Sequence, residues 1–199
     1  MSRVAKLPVD QWDPELRAMT LADEATPLEQ GLLRIMAQAP EITKGYMQFA
    51  AAFANHRSLP RRLVELVRLR LAFHNQCRSC MAIRYRSAVD DGVTENLVCS
   101  LERPYEAPDL SEAERAALRY ADLSATDHLA IDDAEFDALR RHFSEAQIVE
   151  LGLWIANCIG FGRLAAAWNM VEELPQAYQA RTGATLSPWT QQDAVVVRG

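Results

Sequence analysis

The chain has 199 residues, 49% of them hydrophobic and 24% charged, with a formal net charge of −6. That is enough length for one well-buried domain and too little for two, in a globular rather than disordered composition. An acidic total with no offsetting basic patch argues against a nucleic-acid partner.

From the N-terminus, MSRVAKLPVDQWDPEL lacks the apolar stretch of a secretory signal. Residues 1–25, with Pro8 and Pro14, read as an arm holding at most one short helix. Thr26-Pro27-Leu28-Glu29 is a capping box with proline at the first helical position, predicting a helix to about Ala37 that ends before Pro40. A second helix is expected from about Glu41 to Asn55, with Tyr46, Phe49, Ala50 and Phe53 facing inward. Ser58 introduces a third helix, to about His74, whose Leu63, Leu66, Val67, Leu69, Leu71 and Phe73 cover most of its circumference and predict burial.

A helix starting at Cys77, with Asn75 as its N-cap, is expected to stop at Asp90-Asp91-Gly92. Thr94 caps a short helix to about Leu101, and the two prolines within Arg103 to Leu110 mark the main internal loop. Three further N-caps follow, Ser111 with Glu114, Asp132 with Glu135 and Ser144 with Gln147. The last of these opens the longest helix, to about Val171, with Gly152, Gly160 and Gly162 as points of bending or breakage. The longest apolar run, Leu151 to Gly162, is too short to span a bilayer, so no membrane partner is expected. Beyond Pro175 periodicity is lost, apart from a weak strand at Ala194 to Val197. The reading is an all-α fold, with an arm (1–25), a helical domain (26–175) and a tail (176–199).

Four cysteines do not make a disulfide scaffold in a chain of this length; one redox or metal pair in a cytoplasmic protein fits better. The pair is Cys77-Arg78-Ser79-Cys80. On a helix, Cys77, Cys80 and Arg84 fall at i, i+3 and i+7 and share one face, with both sulfurs in the first turn. A reversible dithiol is favoured. The alternatives are a zinc site using His74, Cys77 and Cys80, which lacks a fourth ligand, and two inert buried thiols. Glu65, with Arg61, Arg62 and Arg68 at helical spacing, reads on spacing alone as a surface ion pair, although a buried carboxylate there would be able to relay protons. His74 reads as an inert helix-end residue, and Cys99 and Cys158 as core.

Glu65, Cys77-x-x-Cys80 twelve residues on, and the flanking segments RRLVELVRLRLAFHNQC, SAVDDGVTENLV and HFSEAQIVELGLWIANCIGFGRL resemble the alkylhydroperoxidase D/carboxymuconolactone decarboxylase family over roughly residues 27–172. The resemblance implies a helical fold assembled into dimers, trimers or hexamers. It also implies thiol-dependent reduction of hydroperoxides, the disulfide being re-reduced by a lipoyl-type or other dithiol partner. No cofactor or metal is expected. Carried over residue by residue, Cys80 is the thiol that attacks the peroxide, Cys77 the one that resolves it, and Glu65 heads the proton relay.

One position departs from the pattern. Where the family places a histidine four residues after the second cysteine, this chain has Arg84, which cannot accept a proton. Arg84 is therefore expected to hold Cys80 as a thiolate by charge, with Glu65 as its ion-pair partner. Two other functions compete with a peroxidase: a decarboxylase-type lyase, whose branch lacks the paired cysteines, and an oligomeric redox sensor without turnover.

Overall fold

The computed structural model describes residues 1–179, 185–190 and 193–198. Part of the proposed tail (180–184, 191–192 and 199) lies outside them. The fold is all-α, as the periodicity predicts. The arm holds one 3-10 turn, Val9–Gln11, and α1 (Pro14–Met19). It folds back on its own chain: Trp12 and Leu16 are buried, and the Arg3 N–H donates to the Trp168 carbonyl.

The capping box at Thr26 forms as expected and opens α2 (Pro27–Gln30). Gly31, at φ +47°, then ends that helix, so α3 (Leu33–Met36) is separate where one helix was predicted. Then come α4 (Pro40–His56) and α5 (Arg61–His74). Ser58 does not start α5, because its N–H and hydroxyl are bound by the Glu150 carboxylate and Pro60 intervenes. α6 (Arg78–Ala82) has Cys77 as its N-cap; Asn75 instead ends α5.

The helix expected through Asp90 is interrupted. Ile83 is extended and starts β1 (Ile83–Tyr85), before α7 (Arg86–Asp90). The tail explains the break, since β2 (Val195–Val197) pairs in parallel with β1, with Ile83 opposite Val195 and Tyr85 opposite Val197. Gly92 takes the positive φ expected of the residue after α7. α8 (Glu95–Ser100), α9 (Glu112–Thr126) and α10 (Asp133–Arg140) start at the predicted caps Thr94, Ser111 and Asp132. A 3-10 turn, His128–Ala130, joins the last two.

α11 (Glu145–Trp168) is unbroken by its glycines and ends at Asn169, in the left-handed conformation, rather than at Val171. By length and composition it is long and apolar enough to cross a membrane. The shorter run read from the sequence missed this by stopping at Gly162. In this fold Ile148, Leu151, Ile155 and Ala165 turn one side of it inward. α12 (Gln176–Gln179) follows.

The core is built around α5. Every residue from Leu63 to Leu69 is buried, and α5 packs against α6, α7, α9 and α11. Three of its four arginines, Arg61 excepted, are carried inward with partners. Arg62 meets Glu114, Arg70 meets Asp122, and Arg68 meets Glu65. A buried charge is tolerated only when paired, and here each is.

Candidate functional site

The site forms where α5 gives way to α6. Asn75 ends α5, Gln76 takes a left-handed conformation (φ +49°), and the Cys77 N–H returns to the Ala72 carbonyl at 3.0 Å. This tight reversal sets the two cysteines at the start of α6, where they are joined by a disulfide, Cα to Cα 5.2 Å. Cys77 is 0% exposed. Cys80 lines a cavity of about 610 Å³, walled by α4, α5 and α11 and dominated by apolar side chains, whereas Cys77 does not reach it. The two thiols of the motif therefore differ in access, a difference that spacing alone could not supply.

Glu65 is 3% exposed and Arg68 8%, so the reading of a surface pair is corrected. Their contact is bidentate, with Arg68 Nε and Nη2 each 2.7 Å from a Glu65 oxygen. The guanidinium also donates from Nη1 to the Cys80 carbonyl and from Nη2 to the Ile83 carbonyl, both at 2.7 Å. Burial works against the Arg68 charge, but Glu65 more than offsets it and holds the guanidinium protonated. The ring of Tyr85 lies beneath it, 4.9 Å from the guanidinium carbon. Arg68 is thus the fixed cation at the Cys80 backbone, a role the sequence reading gave to Arg84.

Arg84 lies elsewhere. It is fully buried and not on the helix of the cysteines, because β1 has begun. Its Nε and Nη2 meet the Glu95 carboxylate at 2.9 and 3.0 Å, and its remaining donors go to the Met81, Ile83 and Pro188 carbonyls. The expected Arg84–Glu65 pair does not form, since both partners are committed to others. Arg84 ties β1 to α8 and to the tail.

His74 Nε2 lies 2.7 Å from Asp122, which also accepts from Arg70 and from the Tyr105 hydroxyl. It is part of a polar cluster between α5 and α9, not an idle helix end. It does not converge with the two sulfurs, so the three-ligand zinc arrangement is not assembled. Among the described residues no group of three or more His, Cys, Asp or Glu side chains forms such a site.

Two residues of the cavity wall, Cys158 and Asn75, are ones the sequence places instead in the core and at a helix N-cap. Cys158 is half-buried there, and burial pushes its thiol up to about 12. Asn75 is 8% exposed; it donates from Nδ2 to the Cys158 carbonyl at 2.9 Å and leaves its Oδ1 without a partner. A Cβ on Gly162 would sit 2.3 Å from that Nδ2, which accounts for the glycine within α11. Cys99, read as core, is exposed.

Residues 40–123 match the carboxymuconolactone decarboxylase family. The chain is 41% identical over 105 residues to uncharacterized proteins from two strains of Mycobacterium tuberculosis, a match covering 52% of this chain and 36% of theirs. It therefore spans about a third of the length of those curated relatives. Among solved structures, the debrominase Bmp8 superposes with a TM-score of 0.71 at 22% identity, over 90% of this chain and 97% of that one. A peroxidase-related protein from Ralstonia eutropha JMP134, with an alkylhydroperoxidase AhpD core, gives 0.69 at 18%, over 89% and 94%. A protein of unknown function from Agrobacterium tumefaciens, described as a candidate antioxidant defence protein AhpD, gives 0.60 at 24%, over 69% and 94%. At these identities the structural likeness establishes the fold.

Proposed function

Because residues 40–123 match the carboxymuconolactone decarboxylase family and the helical fold is AhpD-like, we propose that the chain reduces organic hydroperoxides through its Cys77–Cys80 dithiol. The observation that carries this reading is the unequal access of the two thiols: Cys80 faces a largely apolar cavity and Cys77 is sealed behind it.

In the reduced protein, the Cys80 thiolate attacks the terminal oxygen of R–O–OH. An S–O bond forms, the O–O bond breaks, and the departing alkoxide takes up the proton lost by the thiol, leaving Cys80 as a sulfenic acid. The Cys77 thiol then attacks the Cys80 sulfur, the disulfide forms and water leaves. The dithiol supplies the two electrons, and a dithiol of the lipoyl class outside the protein restores it. Among the described residues no histidine lines the cavity. The Glu65–Arg68 pair takes the place of a relay, with Arg68 as a standing positive charge at the Cys80 backbone that favours thiolate over thiol. Cys80 and Cys77 are the reacting groups, and Glu65 and Arg68 position and charge the site.

Assembly into a homo-oligomer belongs to the same proposal. It is supported by large apolar side chains left exposed on α4 (Ile42, Phe49) and α11 (Val149, Leu153). Sedimentation at micromolar concentration tests it, a stable monomer being the adverse result.

Turnover of an organic hydroperoxide with dihydrolipoamide as reductant tests the function. The native protein is expected to consume many equivalents of peroxide, and Cys80→Ser none. Consumption that stops at one equivalent per chain would replace the peroxidase with a redox sensor.

A further inference from the structure

The cavity carries a charge arrangement that the dithiol chemistry does not use. Of its arginines, Arg68 is ion-paired with Glu65 and committed to the Cys80 carbonyl, and Arg198 lies 3.3 Å from Glu29. Arg57, which ends α4, and Arg61, which begins α5, also line the cavity, and neither has an ion pair or hydrogen bond among the described residues. The acids nearest them are already engaged: Glu150 binds the Ser58 and Leu59 N–H groups, and Asp91 accepts from the Arg62 N–H. Burial and the like charge of Arg61 both push the Arg57 guanidinium below its usual value, although Glu150 and Asp91 oppose this from a distance. Two adjacent cations left unneutralised at a cavity, in a chain of net charge −6, are placed to receive an anion.

The rest of the cavity says what the anion is attached to. Arg61, Glu65, Arg68, Ala72 and Asn75 follow one another down the cavity side of α5. From Arg61 to Arg68, whose guanidinium holds the Cys80 carbonyl, the helix rises about 10 Å. Between those levels the wall is apolar, including Phe53 and Ala54 of α4, Val64 of α5 and Trp154 of α11. At the deep end, the partnerless Oδ1 of Asn75 is an acceptor for an O–H group.

The geometry points to an amphipathic carboxylate as the ligand of this cavity, its carboxylate held by Arg57 and Arg61, its aliphatic body along the apolar wall, and its hydroperoxide end at Cys80. The assignment of the hydroperoxide end rests on the function proposed above; the carboxylate anchor does not.

Calorimetric binding of decanoate, compared with methyl decanoate, tests the anchor without turnover. The native protein is expected to prefer decanoate by roughly tenfold or more, as a charge-assisted pair allows. In Arg57→Gln/Arg61→Gln the preference should fall to near one, and Arg61→Lys should keep part of it. Thermal unfolding of each variant verifies folding. Equal binding of acid and ester by the native protein, no binding of either, or a preference that survives the double substitution would overturn the proposal. Absence of peroxide turnover together with a decanoate preference abolished by the double substitution would defeat the peroxidase reading alone and leave the carboxylate site standing.

Discussion

Arg68 donates to the carbonyl oxygen of Cys80 at 2.7 Å, across twelve residues of chain, while Glu65 holds two of its other donor positions. One guanidinium thereby links the central helix, the start of the cysteine helix and, through Ile83, the strand after it. Breaking such a pair from one side leaves an uncompensated buried charge, a loss of about 3–5 kcal/mol. Arg68→Ala is therefore expected to destabilise the protein by that amount in urea unfolding, and to slow alkylation of reduced Cys80 at pH 7. Arg68→Lys retains the charge but cannot serve four oxygens at once, so it should fall between. A loss below about 1 kcal/mol in Arg68→Ala would show that the pair does not hold the site together.

Arg84 predicts the opposite division of effects. Its guanidinium serves Glu95 and three backbone carbonyls, and none of these contacts is to a cysteine sulfur. Arg84→Ala should cost about 3 kcal/mol or more, from lost packing and stranded acceptors. It should also strip hydrogen-exchange protection from Val195 to Val197, because the Pro188 carbonyl loses its tether. The pH profile of Cys80 alkylation should not move. A shifted profile in Arg84→Ala would return the residue to the thiol chemistry.

Much of this architecture was legible in the sequence. The caps at Thr26, Thr94, Ser111, Asp132 and Ser144 are local hydrogen-bond patterns within a few residues, and each forms as read. The burial of α5 followed from apolar residues around most of its circumference. What failed depended on distant chain. β1 interrupts the expected helix because it pairs with residues more than a hundred positions later, and no local pattern announces that. The Arg84–Glu65 pairing failed for the same reason, since helical spacing held only to Ala82.

Glu65 shows the limit of spacing most plainly. Three arginines lie within four residues of it, and the choice of Arg68 is fixed by which face of α5 meets the cysteine turn. The cavity, and with it the roles of Cys158 and Asn75, is a property of three helices at once. A glycine at 162 was the one signal available, and it was read as a bend when it is a seat for the Asn75 side chain.

The four cysteines should separate chemically once the disulfide is reduced. At pH 8, iodoacetamide is expected to label Cys80 and the exposed Cys99, sparing sealed Cys77 and Cys158, whose thiol is pushed up to about 12 by burial. One equivalent of peroxide should restore the Cys77–Cys80 bond before any other. Peptide mapping that finds Cys158 labelled as fast as Cys80, or a dominant link from Cys77 to Cys158, would contradict this ordering.

Asp122 makes stability depend on pH in a defined window. Burial alone would raise its carboxyl, but hydrogen bonds from His74, Arg70 and Tyr105 outweigh burial and hold it at about 2. An unfolded aspartate titrates near 3.9, so the folded value is depressed and the native state favours the charged form. The resulting stability, about 2 kcal/mol, is present above pH 4 and is lost as pH falls through the folded value. Unfolding free energies measured by urea at pH 2, 3, 4 and 5 should therefore fall most steeply between about 4 and 2. Glu172, bonded by Lys6 and the Ser2 N–H and also held at about 2, contributes to the same slope, so the wild-type curve alone does not isolate Asp122. Asp122→Asn does. It leaves Arg70 buried without its carboxylate and lowers stability at pH 5, while the dependence between 4 and 2 becomes shallower by the Asp122 share. A variant that keeps the full wild-type slope would show that the Asp122 carboxylate is not the group the cluster stabilises.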